Sequence, residues 1–220
     1  MGKWGSITAS TAAFDAPWLC GQDPVTGKSY EHRKDWIRDR LEELAASFAV
    51  DVCGFSVMSN HFHAVLRTRP DVVDTWSDEE VARRWWRLFP KRRDDEGQPA
   101  EPEPHELRML TADEDALAER RRRLASLSWF MRCLSEPIAR RANREDSCRG
   151  RFWEGRYRCQ KLLDDAAILA CSVAGNVWGS AANPGSTACR TSAAGTIAPR
   201  AVWRIWPAQR PERAGNGFTA

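Results

Sequence analysis

Several features of exported and membrane-spanning proteins are missing from this sequence of 220 residues. The first residues, Met-Gly-Lys-Trp-Gly-Ser, lack the apolar stretch of a signal peptide. The least polar later segment, residues 166–182, is short and is interrupted by Ser172 and Asn176. We therefore expect no membrane span and a cytoplasmic protein.

Paired-cysteine motifs are also missing. The seven cysteines are odd in number and scattered, and none of them forms the C-x-x-C spacing that zinc sites and redox motifs use. We interpret all seven as reduced thiols, as is typical of cytosolic proteins.

Tyrosine and lysine are scarce. Only Tyr30 and Tyr157 occur in the whole chain, so few side chains could serve as a tyrosine nucleophile. Arginine supplies most of the positive charge and is concentrated in a few stretches, although the formal net charge is only +3. Clustered arginine indicates an anionic partner more strongly than the net charge does.

The first half of the chain predicts one helix and a β-hairpin. Apolar residues recur with helical spacing between residues 31 and 48. Residues 50–58 and 61–67 are rich in β-branched and aromatic side chains, and Ser59 and Asn60 lie between them, which predicts two strands and a short turn.

Alternation along the second strand separates its side chains into two sets. One set is His61, His63 and Val65, and the other is Phe62, Ala64 and Leu66. We expect the second, apolar set to pack on the helix.

The second half of the chain predicts more helix. Ser77 and Glu80 have the spacing of a capping box, which predicts a helix over residues 78–89. Residues 91–104 are charged and contain Gly97 and three prolines, which predicts a loop. Thr111 matches a second capping box, and helical spacing then continues toward Asn143.

That last stretch is interrupted by Pro137, so either one broken helix or two consecutive helices would satisfy the pattern. We predict one domain over residues 19–171. Residues 1–18 show little pattern, although residues 6–14 can contribute a short edge strand. Residues 172–220 are dominated by glycine, alanine, serine and proline, as in a disordered segment or the product of a shifted reading frame.

The sharpest chemical feature is the pair His61 and His63. Residues two apart on a strand project from the same face with Cα atoms about 6.6 Å apart, so the two imidazoles can share one divalent ion. Such an ion acts as a Lewis acid on a phosphodiester. The alternative is an H-x-H sequence on a half-exposed strand that binds no metal.

The context of the histidines favours the first interpretation. Residues 55–66, Phe-Ser-Val-Met-Ser-Asn-His-Phe-His-Ala-Val-Leu, resemble the strand–Met-x-Asn-His-x-His–strand core of the single-tyrosine HUH transposases, particularly the REP-associated kind. Residues 150–157, Gly-Arg-Phe-Trp-Glu-Gly-Arg-Tyr, are similar to the Gly-Arg-x-Trp-x-Gly-Arg segment of the same proteins. The resemblance covers roughly residues 19–171.

The resemblance implies an α+β fold, with a ferredoxin-like antiparallel sheet and helices packed on one side. It further implies a homodimer that acts on single-stranded or hairpin DNA with Mg²⁺ or Mn²⁺. Family members cleave and rejoin DNA through a tyrosine that becomes attached to a 5′ phosphate.

The chain departs from the family in two places. The helix that should carry the nucleophile, residues 137–142, contains no tyrosine, and the Asn-Pro-x-Arg-Ala element expected near residues 173–177 is missing. Tyr157 is the candidate substitute, and Tyr30 is a weaker one. The alternative is that Tyr157 packs through its ring and hydrogen-bonds through its hydroxyl.

Arginines and aromatic residues interleave after Pro137, a pattern that suits phosphate contacts and base stacking. The predicted nucleic-acid-binding residues are Arg140, Arg141, Arg144, Arg149, Arg151, Trp153, Arg156 and Arg158. The alternative is a solvated surface neutralised by Glu145, Asp146 and Glu154. We interpret Trp85 and Trp86 as packing residues, and residues 120–123 as an exposed charged face.

Three functions remain open on the sequence. The first is a transposase-like enzyme, the second is a catalytically inactive protein that binds hairpin DNA or RNA, and the third is a metal-dependent nuclease that uses water. The third metal ligand is also open, with Asn143, Glu145 and His105 as candidates.

Overall fold

The computed structural model describes residues 6–12, as backbone, and residues 18–162. The elements in chain order are β1 (Ser6–Ala12), α1 (Arg33–Ser47), β2 (Val50–Val57), β3 (His61–Thr68), α2 (Pro70–Val73), α3 (Asp78–Leu88), α4 (Pro104–Thr111), α5 (Glu114–Leu124), α6 (Leu127–Glu145) and β4 (Arg158–Leu162). No described helix is both long enough and apolar enough to cross a bilayer.

The four strands form one antiparallel sheet in the order β2-β3-β1-β4. Helix α1 connects β1 to β2, and the remaining helices connect β3 to β4. Strand β3 therefore lies between β1 and β2, as in the split β-α-β arrangement of ferredoxin-like folds. The predicted α+β class is confirmed.

Strand β1 corrects the predicted domain boundary at residue 18. It pairs with β3 on one side and with β4 on the other, so it is a central strand and not the edge strand that the sequence suggested. Its sequence, Ser-Ile-Thr-Ala-Ser-Thr-Ala, gives a weak hydrophobic signal. Backbone hydrogen bonds, which hold a strand within a sheet, do not depend on that signal.

The helices pack on one face of the sheet, as predicted. Phe62, Ala64 and Leu66 belong to the main hydrophobic core, whereas His61, His63 and Val65 do not. The other core residues of this layer include Ile37, Leu41 and Leu44 of α1, Val50, Val52, Phe55 and Val57 of β2, and Phe130, Met131 and Leu134 of α6.

A β-bulge at Cys53 shifts the alternation along β2 by one residue. Val50 and Val52 face the core before the bulge, and Phe55 and Val57 face it afterwards. An extra residue in one strand has this effect, because it changes which face the following side chains meet.

The last predicted helical stretch is two consecutive helices, α5 and α6, and the break lies at Ala125 and Ser126 rather than at Pro137. Pro137 lies inside α6. A proline there deprives the carbonyl of the residue four positions earlier of its helical hydrogen bond. That carbonyl, of Cys133, accepts a hydrogen bond from Nε of Arg40 on α1 at 3.0 Å, so the helix continues.

Helix α4 was not predicted. It begins where the expected loop ends, at Pro104, and Glu103 and Glu106 form its capping box. Thr111 is therefore the last residue of α4 and not a helix N-cap, and the cap of α5 is Asp113. The cap of α3 is Ser77, as predicted, and its hydroxyl accepts from the backbone N–H of Glu80.

Candidate metal centre and nucleic-acid interface

The imidazoles of His61 and His63 lie side by side on the face of the sheet opposite the helical core. Their ring centroids are 5.1 Å apart and their planes are inclined by 83°. Two imidazoles that share one ion, each about 2.1 Å from it, have ring centres roughly 4.5–5.5 Å apart. The observed separation is therefore compatible with a shared ion.

The turn before β3 orients the first of these rings. Nδ1 of His61 lies 2.7 Å from Oδ1 of Asn60, which accepts a hydrogen bond from the Nδ1–H group. A proton on Nδ1 leaves the lone pair on Nε2 free for a metal. The turn is itself fixed, because the Ser59 carbonyl accepts from the backbone N–H of Leu19 at 2.5 Å, and the Met58 N–H donates to the His61 carbonyl at 2.8 Å.

Burial keeps both histidines available as ligands near neutral pH. It lowers the pKa of His61, and it lowers the pKa of His63 together with a smaller contribution from the neighbouring His61. A lowered pKa means that the neutral imidazole, which is the form that binds metal, predominates at pH 7.

The structure does not bring the three candidate third ligands to this pair. Asn143 donates from Nδ2 to the Gly150 carbonyl, and His105 lies beside Glu103 at the start of α4. Glu145 is bound by Arg33 and other cations. Within residues 18–162 no cluster of three or more His, Cys, Asp or Glu side chains could hold a metal. Mg²⁺ can complete its shell with water and substrate phosphate.

Tyr157 lies on the helical side of the sheet. Its hydroxyl is 2.9 Å from Oγ of Ser128 in α6, and its ring packs against the hydrophobic core. No described contact joins it to His61 or His63. The geometry matches the packing interpretation of this residue, and the nucleophilic role is not supported by proximity.

The sheet register places the start of β4 close to the histidines. Strands β3 and β4 both run antiparallel to β1, so both begin at the same end of the sheet. His63 and Arg158 each pair with Ser10 of β1, from its opposite sides. Residues aligned in this way share a face, and two strand spacings separate their Cα atoms by about 10 Å.

We call residues 140–158 the basic segment. All seven of its arginines are exposed, and five of them have neither a carboxylate nor an aromatic ring as a described partner. These five are Arg144, Arg149, Arg151, Arg156 and Arg158. Arg140 pairs with Glu136 in its own helix, and the guanidinium of Arg141 lies 4.0 Å from the ring centroid of Trp36.

Two of the three acidic residues that were expected to neutralise this segment are occupied elsewhere, and the third, Glu154, is exposed within it. Glu145 accepts from Nε of Arg33 at 2.9 Å, and Asp146 accepts from Nη2 of the same residue at 2.6 Å. His32 and Lys28 add further contacts to them. The positive charge of the basic segment therefore remains available to an external anion.

Trp153 anchors the basic segment rather than presenting a free stacking face. Its indole N–H donates to the Ser135 carbonyl at 2.8 Å, and its ring contacts Phe62 and the buried Phe152. The predicted contact of Trp153 with nucleic acid is therefore not supported by its surroundings. Gly150, with φ of 116°, lies within this segment between α6 and β4, in a conformation that favours glycine.

Sequence reasoning missed the importance of Arg33. Its side chain is fully buried, and besides the two carboxylates it donates to the Trp18 carbonyl at 2.5 Å. The only sequence signal was its place in the Tyr-Glu-His-Arg stretch that begins the first helix. Nothing in that stretch indicates the partners in α6, more than a hundred residues later.

No family model, curated protein or solved structure matches the chain. The geometry of the site and the sequence motifs therefore carry what can be said of function. The site provides two neutral imidazoles at one end of the sheet, with Arg158 at the same end.

Proposed function

We propose that this protein binds single-stranded or hairpin DNA and holds a divalent ion, Mg²⁺ or Mn²⁺, at His61 and His63 for phosphodiester cleavage and rejoining. One observation carries the proposal, the 5.1 Å separation of two imidazoles of which one is oriented by Asn60. The resemblance to HUH transposases supports the same chemistry.

The residues around the pair have separate roles in this proposal. His61 and His63 hold the ion, which acts as a Lewis acid on a phosphodiester oxygen when it is bound. Asn60 keeps Nδ1 of His61 protonated. Arg158 and the other unpaired arginines hold the DNA backbone by charge-assisted hydrogen bonds.

Metal affinity tests the first half of the proposal. Mn²⁺ binding is measured by titration calorimetry for the full chain, for His61→Ala and His63→Ala, and for Asn60→Ala. We expect the histidine variants to lose binding and Asn60→Ala to bind about tenfold more weakly. His105→Ala, which removes an exposed histidine on α4, is the matched control. Equal Mn²⁺ binding by all four variants would refute the site.

DNA cleavage tests the second half. A labelled hairpin oligonucleotide is incubated with the protein and Mn²⁺, and the products are separated under denaturing conditions. A protein–DNA adduct that disappears in Tyr157→Phe identifies a tyrosine nucleophile. Free cleaved DNA without an adduct identifies water as the nucleophile. Intact DNA contradicts the enzymatic proposal.

The second candidate is a catalytically inactive protein that binds hairpin DNA or RNA. The hydrogen bond between Tyr157 and Ser128 favours it, because a hydroxyl held on the helical side is distant from the proposed ion. Binding that weakens with salt, without cleavage, would support this candidate.

We further propose that the protein forms a homodimer and acts in the cytoplasm. The resemblance supports the dimer. The scattered cysteines, which we interpret as reduced thiols, support a reducing compartment. Light scattering on the purified chain gives the mass that tests the dimer, and a mass near 24.9 kDa would contradict it.

A further inference from the structure

A second surface that combines aromatic rings with arginines lies on the helical side of the sheet. It is a groove of about 1200 Å³ between α1, the end of α3, the start of α6 and the loop that follows α3. We call it the helix-layer groove. Its lining contains neither histidine of the candidate metal centre.

Three aromatic rings form the apolar part of this groove. The centroids of Trp85 and Phe89 are 4.6 Å apart, and the ring of Trp129 lies 6.1 Å and 6.3 Å from them. Phe89 is 40% exposed, which is unusual for a phenylalanine that has neighbouring rings to pack against. The cluster therefore leaves an aromatic surface open to a ligand.

The polar part of the groove is positive. Five arginines and two glutamates line it, namely Arg40, Arg87, Arg93, Arg132, Arg140, Glu43 and Glu136. Glu43 pairs with Arg40, and Glu136 is shared by Arg132 and Arg140. In the described part of the chain no carboxylate pairs with Arg87 or Arg93, so their guanidinium groups can bind an anion.

We propose that the helix-layer groove binds a single-stranded stretch of nucleic acid. Arg87 and Arg93 contact phosphates, and an unpaired base stacks on the exposed ring of Phe89. The neighbouring ring of Trp129 is already covered by guanidinium groups, with those of Arg123 and Arg132 at 4.3 Å and 5.2 Å from its centroid. Every base has a flat face that stacks on an aromatic ring, and single-strand sites combine such rings with a basic groove. An acidic peptide would satisfy the arginines but would leave the rings uncovered.

This inference rests on the proposed function for the identity of the partner, and it uses different residues. The inference implies that DNA can bind at the histidine face of the sheet and in the helix-layer groove at the same time, either as one molecule or as two. A hairpin bound near the histidines would have a separate position for its unpaired flank.

Photocrosslinking tests the location directly. The probe is an oligothymidylate of about twelve nucleotides, within the site sizes of single-strand binders, that carries one 5-iodo-deoxyuridine. We expect crosslinked peptides that contain Phe89 or Trp129. Crosslinks confined to residues 144–158 would overturn the inference and leave the proposed function intact.

Binding measurements on the full chain separate the contribution of the aromatic ring from that of the arginines. Phe89→Leu keeps an apolar side chain and removes the ring, and we expect about tenfold weaker binding of the same oligonucleotide. The double variant Arg87→Gln with Arg93→Gln should lower the slope of log affinity against log salt by about 1.4, from two lost phosphate contacts. Arg83→Gln, on the same helix but paired with Glu79, is the matched control and should bind normally.

The remaining outcomes are also decisive. Displacement of the probe by polyglutamate, with Phe89→Leu binding normally, would overturn the inference and indicate an acidic protein partner. Failure of the unaltered protein to bind any oligonucleotide would overturn this inference and the DNA part of the proposed function. Mn²⁺ binding at the histidines would then still be measurable, so the two failures can be distinguished.

Discussion

Two arginine-rich regions of this protein have similar composition and different surroundings. Residues 120–123 were expected to form an exposed charged face, but only Arg122 is exposed, and each of the four has a partner within the protein. Arg121 alone donates to the carbonyls of Val73 and Trp76 and pairs with Asp78. In the basic segment, by contrast, five of the seven exposed arginines have neither a carboxylate nor an aromatic ring as a described partner. The comparison teaches that the partners of a cationic cluster, and not its composition, decide whether it holds the fold or binds a ligand.

Among the arginines that pair within the protein, we expect substitution of Arg33 to cost the most stability. It is fully buried and joins α1 to Glu145 and Asp146 at the end of α6. Arg33→Met keeps most of the volume but leaves both carboxylates without this partner, so we expect the free energy of unfolding to fall by about 3 kcal/mol. Urea denaturation measures it.

The control for this variant is Arg38→Met, on the same helix, where the side chain is about half exposed and pairs only with nearby aspartates. Its cost should stay below about 1 kcal/mol, as for other surface ion pairs. Equal losses in the two variants would show that burial of Arg33 contributes nothing.

Arg121 should show a smaller effect of the same kind. Arg121→Ala removes two hydrogen bonds to backbone carbonyls, and such losses cost about 2 kcal/mol when the acceptors are left unsatisfied. Arg122→Ala, with a side chain that is 77% exposed, is the neighbouring control and should change the free energy of unfolding very little. An inverted order would contradict the assignment of Arg121 as a structural residue.

The local elements of the fold could be predicted from the sequence. Helical spacing and alternation predicted α1, α3, β2, β3 and the two faces of β3, because each depends on residues close together in the chain. The face that carries His61 and His63 followed directly from the alternation.

The partners of charged side chains could not be predicted in the same way. Arg33 meets carboxylates 112 and 113 positions away, and Arg40 meets the carbonyl that Pro137 frees in α6. The central position of β1 was missed for a related reason, because its neighbours β3 and β4 are distant in the chain. Contacts of this kind depend on topology rather than on local pattern.

The ion pair between Arg92 and Glu106 should make the free energy of unfolding depend on pH. Glu106 is mostly buried, and its hydrogen bonds with Arg92 lower its pKa from the ordinary 4.5 to about 2. A lowered carboxyl pKa means that the stabilisation is complete above pH 4.5 and is lost as the pH falls toward 2. Urea midpoints between pH 2 and pH 6 should therefore fall with acid, and by less in Glu106→Gln.

Substitutions in the basic segment should have the smallest effect on stability and a clear effect on the binding of single-stranded DNA. Arg149→Gln with Arg156→Gln removes two exposed arginines that have no described ion pair, so the free energy of unfolding should change by less than about 0.5 kcal/mol. If both contact phosphates, the slope of log affinity for single-stranded DNA against log salt should fall by about 1.4. A salt titration by fluorescence anisotropy measures the slope, and Arg122→Gln is the control. An unchanged slope would mean that unpaired charge alone does not make this segment a binding surface, and the contrast between the two regions would then be one of exposure only.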